Sequence, residues 1–282
     1  MSLNEHSRTQ KPSPPFLYGT AWKEQDTARL TTLALEAGFR GIDTANQRKH
    51  YFEEAVGEGL LRAYDQLGLS RGEVWLQTKF THVGGQDHRL PYDPRAPMSE
   101  QVQSSFESSL AHLHTDTIDS YVLHGPSLRE GLADEDWEAW EAMEAIFLAG
   151  KTRALGVSNM SATQLELLLS GCRVAPQFIQ NRCFAQLGWD REVRELCSAH
   201  HITYQGFSLL TANRGLWESP ALAQLASQRQ CTPAEVIFSL ALALEMLPLT
   251  GTSDPTHMRS DLRSHAELLT AGEVEALERV YG

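Results

Sequence analysis

At 282 residues the chain has the length of one large α/β barrel rather than of two small domains. Its formal net charge of -12, with no block of basic residues, argues against nucleic acid or an anionic membrane surface as a partner, so any anion it binds has to be captured locally. The apolar fraction of 41% allows a sizeable core, yet no uninterrupted apolar run approaches the ~20 residues of a membrane span.

The opening stretch, residues 1–14, is polar and rich in Pro and Ser and is expected to be poorly ordered. It lacks the apolar region of a signal peptide. The four cysteines, Cys172, Cys183, Cys197 and Cys231, form no C-x-x-C pair. Reduced thiols in a cytoplasmic protein are therefore expected. From residue 15 onward short strand-like runs alternate with longer amphipathic ones. Strands are expected at 16–19, 41–43, 74–79, 120–124, 154–157, 178–181, 203–207 and 247–249. Helices are expected between them at 26–37, 53–67, 99–112, 137–149, 161–169, 190–199 and 233–244, with a last one at 271–280. Ser161-Ala-Thr-Gln164 has the form of a capping box, and Thr232-Pro233-Ala-Glu235 puts Thr at the cap and Pro at the first helical position. Gly38 and Gly150 close helices ahead of strands. Strict alternation of eight strands with helices predicts parallel pairing and closure into a single-domain (β/α)8 TIM barrel over 15–282. Two connections, 81–98 and 209–220, are longer than a minimal barrel needs and are expected to shape a binding site.

Chemistry enters at the strand ends. Asp43, Lys79 and His124 each finish an apolar run, and Tyr51 follows a few residues after Asp43. Polar side chains at the C-terminal ends of barrel strands are where this architecture keeps its reactive groups. A phenol is a weak acid at pH 7, and a neighbouring ammonium lowers its pKa by stabilising the phenolate. Lys79 is expected to supply that charge, Asp43 to hold Lys79, and His124 to point an N–H at a substrate oxygen. Together they suit protonation of a carbonyl oxygen while a hydride reaches the carbon. Taken singly, each residue has a plainer reading: a structural ion pair for Asp43 and Lys79, a satisfied core histidine for His124, and core packing for Tyr51. No metal site is expected. The His112-x-His114 pair falls at the end of an expected helix without carboxylates in register.

The ordered set of short matches resembles the aldo-keto reductases over nearly the full length. They run from Gly19-Thr20-Ala-Trp22 through Gly41-Ile-Asp43-Thr-Ala45, Tyr51-Phe-Glu-Glu54-Ala-Val-Gly57, Thr78-Lys79 and Leu123-His124-Gly-Pro126. They continue with Gly150-Lys-Thr-Arg-Ala-Leu-Gly156-Val-Ser158-Asn159, Gln180-Asn-Arg-Cys and Gly251-Thr-Ser253-Asp-Pro-Thr-His257. The resemblance implies that Asp43, Tyr51, Lys79 and His124 are catalytic, that a small carbonyl compound is reduced, and that NADPH, or less often NADH, is the cofactor. It puts Ser158, Asn159 and Gln180 at the nicotinamide carboxamide, Phe207 under the nicotinamide ring, and Ser208 and Leu210 along the pyrophosphate. Gly251, Thr252, Ser253, His257 and Asp261 are carried over as cofactor-binding residues, and Trp22 and Gly125 as walls of the substrate pocket. No G-x-G-x-x-G follows a strand, so a Rossmann domain is not expected. On local grounds alone Phe207 could be a core aromatic and Gly251-Thr252-Ser253 an ordinary helix cap.

Several positions depart from the family pattern. Three extra residues separate Asp43 from Tyr51. Gly125 stands where Trp is usual after the histidine, and Phe207 where Tyr is common. His257 replaces a frequent Arg at the adenosine 2′-phosphate and Gly251 a frequent Lys, with Arg259 and Arg263 as candidates to compensate. The expected preference is for NADPH, weaker than in relatives with the full basic pair. With no long C-terminal substrate loop expected, the pocket is expected to be open, bounded by residues 81–98, Trp22 and Gly125. A cofactor-binding regulatory or redox-sensing subunit on the same barrel is the alternative function. The oligomeric state is left open.

Overall fold

In the computed structural model, which describes residues 13–280, eight parallel strands pair in chain order and the last closes on the first. Chain order begins with β1 (Leu17–Gly19), α1 (Thr27–Ala37), β2 (Gly41–Asp43), α2 (Glu53–Leu67), β3 (Trp75–Phe80), α3 (Met98–His112), β4 (Ser120–Leu123) and α4 (Asp134–Leu148). It continues with β5 (Leu155–Ser158), α5 (Ala162–Gly171), β6 (Phe178–Arg182), α6 (Arg191–His200), β7 (Thr203–Phe207), α7 (Arg214–Trp217) and α8 (Pro220–Gln228). The chain then runs through α9 (Pro233–Ala243), β8 (Leu247–Thr250), α10 (Pro255–Asp261) and α11 (Ala271–Glu278). Every expected strand is present to within a residue at each end. No helix among the described residues is long and apolar enough to cross a membrane. Of the stretch expected to be poorly ordered, residues 1–12 lie outside the described residues, and Pro14 is buried.

The period-two alternation of strands sorts the side chains into two cores. Outward residues such as Tyr18, Ile42, Leu76, Phe80, Tyr121 and Ile179 join the inner faces of the helices in one large apolar layer. Inward residues at the strand starts, Leu17, Trp75, Ala154, Phe178 and Leu247, form a second, small cluster inside the barrel. Trp75 and Phe178 meet there edge to face at 5.4 Å. Two residues further along the same faces the inward positions turn polar: Gln77 and then Lys79 on β3, Gln180 on β6 and Gln205 on β7, all buried. The barrel is thus plugged with apolar groups at its N-terminal end and opens through a polar layer at the other.

The caps behave as their chemistry demands. Ser161 accepts the Gln164 N–H and Thr232 that of Glu235, each box closed by the reciprocal side chain. Gly38 ends α1 at φ 116°, where its N–H reaches back to Ala34 and Leu35. Gly57, one of the family-like residues, lies where α2 meets the end of α3. A Cβ there would sit 1.8 Å from the His112 carbonyl oxygen. The 209–220 connection is less of a loop than expected, because α7 falls within it and α8 follows at once. The signal for α8 was readable: Ser219 caps it by accepting the Leu222 N–H, and Pro220 opens it.

Candidate active site

Asp43 ends β2 and Lys79 stands next to the last residue of β3, on the inward face. The Lys79 ammonium donates to Asp43 Oδ1 at 2.7 Å, to Asp43 Oδ2 at 2.8 Å and to the Thr44 carbonyl at 2.8 Å. All three of its N–H groups are thereby spent. It lies 5.1 Å from the centroid of the Tyr51 ring, and no hydrogen bond joins it to the Tyr51 hydroxyl. His124 follows β4 directly, its N–H held by the Phe80 carbonyl at 2.9 Å. Its ring meets that of Tyr51 edge to face at 5.8 Å, and its Nδ1 is 2.7 Å from the Thr81 hydroxyl. The four residues therefore do converge, with Tyr51 between Lys79 and His124.

The extra residues ahead of Tyr51 are anchored on several sides. Asn46 donates to the Ser105 carbonyl, Gln47 to that of Gly85, and the N–H groups of His50 and Tyr51 both turn back to the Gln47 carbonyl. The Trp22 N–H donates to the His50 carbonyl at 2.7 Å, and the two rings stack 4.1 Å apart. One expectation is corrected here. Burial, helped by the Asp43 carboxylate, raises the Tyr51 phenol above its ordinary pKa rather than lowering it. The lysine charge is largely absorbed by Asp43, so the phenol is a neutral group at any physiological pH. Burial, with Lys79 and His50 nearby, holds the His124 imidazole well below its usual value and hence uncharged.

A cavity of ≈ 620 Å³ opens from these residues across the C-terminal ends of the strands. Asp43, Tyr51, His124, Ser158, Asn159 and Gln180 border one part of it. Phe207, Ser208, Leu210, Gly251, Thr252, His257 and Asp261 border the rest, and Trp22 stands at its wall, 70% exposed. Three expected site residues do not border it: Lys79 lies beneath Tyr51, and Gly125 and Ser253 lie outside. The 81–98 segment is also absent from its walls. Its Arg89, Leu90 and Pro91 line a separate hollow of ≈ 390 Å³ that Tyr51 also borders. Tyr92 anchors the segment by donating to the Thr81 carbonyl, so it braces the His124 partner instead of shaping the pocket.

Ser158 donates to the Gln180 carbonyl at 2.6 Å, and Asn159, in the left-handed region at φ 54°, donates to the His124 carbonyl at 2.8 Å. Its side-chain oxygen is left to accept. At the far end the expected anion site is altered. The N-terminus of α10 is capped by Asp254, whose Oδ1 takes the N–H groups of Thr256 and His257. A carboxylate there repels a phosphate. Arg263 is engaged by Glu235 at 3.0 Å. Asp261 is buried, accepts from Thr250, and burial pushes its carboxyl up to about 6.

Sequence reasoning missed five residues. His50 and Lys23 border the cavity, the latter donating to the Gly251 carbonyl, and so does Trp217 from α7. Gln77 and Gln205 bind the Asp43 network from within the barrel. Polar residues in otherwise apolar strands were the available sign for the two glutamines.

The chain belongs to the aldo/keto reductase family, whose model matches residues 16–281. It is thereby placed among carbonyl-reducing oxidoreductases. It is similar to a 9,11-endoperoxide prostaglandin H2 reductase of Trypanosoma cruzi, 30% identical over 77% of this chain and 70% of that protein. It is also similar to a methylglyoxal reductase of Yersinia pestis, 26% identical over 91% of this chain and 84% of the other. Among solved structures an aldo/keto reductase from Brucella melitensis superposes with a TM-score of 0.82 at 24% identity, covering 97% of both chains, a likeness of fold.

Proposed function

We propose that the protein reduces small aldehydes or ketones to alcohols with NAD(P)H, Tyr51 giving the proton. The observation that carries this reading is the placement of Tyr51 on the cavity wall, 5.1 Å from the Lys79 ammonium and 5.8 Å from the His124 ring. The chain's residues fit the cofactor. Next to Tyr51, Asn159 and Gln180 offer acceptor oxygens for a carboxamide, Phe207 offers a flat face, and Lys23 supplies a cation beside Gly251. When bound, dihydronicotinamide supplies the hydride and both electrons for the carbonyl carbon.

The protein groups then manage one proton. The substrate oxygen sits between the Tyr51 hydroxyl and His124. The Thr81 hydroxyl lies 2.7 Å from Nδ1; in this reading it donates there, so that His124 carries its proton on Nε2 and polarises the carbonyl. Negative charge grows on that oxygen until it takes the Tyr51 proton. A phenol with a raised pKa remains loaded for this step across the physiological range, and Lys79 steadies the phenolate left behind. The 2′-phosphate has fewer supports: His257 and Arg259 are exposed, Arg263 is engaged, and Asp254 and Asp261 carry opposing charge. NADPH preference is accordingly small. A cytoplasmic location and a role without nucleic acid complete the reading.

The test is loss of reduced-cofactor absorbance with a panel of aldehydes, ketones and α-dicarbonyls, run with NADPH and with NADH. Turnover with several of them supports the reading. Tight cofactor binding with no turnover of any carbonyl would sink it and favour a regulatory subunit.

A further inference from the structure

Four buried side chains inside the barrel form a closed ring of hydrogen bonds. Gln77 Nε2 donates to Asp43 Oδ1 at 2.7 Å and to Gln205 Oε1 at 2.8 Å. Gln180 Nε2 donates to the same two atoms, at 3.0 Å and 2.9 Å. Gln205 Nε2 returns a bond to Gln77 Oε1 at 3.0 Å. Strand register sets the pairs side by side, Asp43 with Gln77 and Gln180 with Gln205. The pairs then meet across the barrel interior.

The bonds determine which way each amide faces. A carboxylate only accepts, so the Gln180 atom on Asp43 is nitrogen. Both Gln180 N–H groups are consumed within the ring, and Gln180 borders the cavity. The group it offers there is therefore Oε1, an acceptor. Asp43 fixes one Gln180 proton, and Gln205 takes the second with its oxygen while its nitrogen is turned to Gln77, so that neither Gln180 N–H is left to face the cavity.

We propose that Gln205, acting with Gln77, is a positioning residue that locks Gln180 as an acceptor on the cavity wall and ties cofactor recognition to the Asp43–Lys79 pair. This rests on the nicotinamide reading above. The Gln180 oxygen accepts an N–H of the cofactor carboxamide, while its nitrogen helps hold the carboxylate that holds Lys79. A loosened Gln205 would free the Gln180 amide to rotate and weaken that discrimination.

The experiment measures dissociation constants by quenching of tryptophan fluorescence for NADP+ and for its 3-acetylpyridine analogue, in which a methyl replaces the carboxamide NH2. Proteins are wild type, Gln205→Leu, Gln205→Glu and the double variant Gln77→Leu/Gln205→Leu, which removes Gln77 together with the partner it would otherwise lose, should the single leucine fail to fold. The wild type is expected to favour the carboxamide roughly three- to tenfold, the worth of one such bond. That ratio should fall toward unity in whichever leucine variant folds. Gln205→Glu keeps an oxygen that accepts the second Gln180 proton and should retain the wild-type ratio near pH 5.5, where a protonated carboxyl also reproduces the donor to Gln77. An unchanged ratio in a folded leucine variant, or a ratio near unity in a folded Gln205→Glu at pH 5.5, overturns the inference alone. A wild type that binds neither dinucleotide overturns the functional reading beneath it.

Discussion

The proposed reaction places two demands on Tyr51: it must hold its proton until the substrate oxygen becomes basic, and it must then release it. The raised phenol pKa meets the first and the adjacent Lys79 the second. Tyr51→Phe should cut carbonyl reduction by about 10²–10⁴ while leaving cofactor dissociation constants unchanged. In the wild type, reduction should show no fall attributable to Tyr51 between pH 7 and about 10, since the folded pKa lies above the ordinary phenol value. Steady-state rates across that range check both. A wild-type-like Phe variant would remove Tyr51 from the reaction. Asp43 is the more surprising residue. If it acted only through Lys79, Asp43→Asn would be a mild change. Here Asp43 Oδ1 accepts from Lys79, Gln77 and Gln180, and Oδ2 from Lys79 again. An asparagine has one oxygen and brings N–H groups against an ammonium. Asp43→Asn should therefore lose about 3–5 kcal/mol of stability in urea unfolding along with most activity, as when one partner of a buried ion pair is removed.

Five helices among the described residues, α5, α8, α9, α10 and α11, are held at their starts by a side-chain cap, and at α5 that device can be separated from the chemistry. The box of Ser161 and Gln164 on α5 lies outside the cavity walls. Ser161→Ala should cost about 1 kcal/mol of stability with kcat and KM unmoved, measured on the same preparation. The start of α10 is different, because it lies at the end of the cavity bordered by Thr252 and His257, where the proposed cofactor would extend. Asp254→Asn keeps an acceptor for the Thr256 and His257 N–H groups but removes the charge. NADPH should then bind roughly two- to fivefold more tightly relative to NADH at low salt, with the gain fading as salt is added. No change in that ratio would place the 2′-phosphate away from α10. Boundaries of these elements were legible because caps and periodicity are local. α8 is not among the expected helices although Ser219 and Pro220 announce it, and the 81–98 segment borders the smaller hollow beside Tyr51 rather than the main cavity, because a loop's direction is not written in its composition.

Asp261 links the site to the stability of the whole molecule. Its folded pKa, about 6, lies above the 3.8 of an ordinary Asp. The folded chain thus holds more protons than the unfolded one between those values, and stability falls as pH rises through that window. The deficit above pH 6 is up to about 3 kcal/mol. Asp261→Asn keeps an acceptor for Thr250 and should raise the melting temperature at pH 7.5 but not at pH 4. Equal effects at both would show that ionisation is not the cause. At this scale the barrel itself was readable from the chain, as was the gathering of Asp43, Tyr51, Lys79 and His124 at the ends of its strands. Alternating strands and helices with polar strand ends encode the order of the elements and the side on which chemistry collects. What the tertiary structure alone decided is how these groups are coupled. The glutamine ring joins β2, β3, β6 and β7 through residues more than a hundred positions apart, such as Gln77 and Gln205. The sign of the Tyr51 shift depends on burial and on where the Lys79 hydrogen bonds go. The charge at the far end of the cavity depends on which carboxylate caps α10. These are matters of distance and desolvation between remote segments, and they exist only once the barrel has closed.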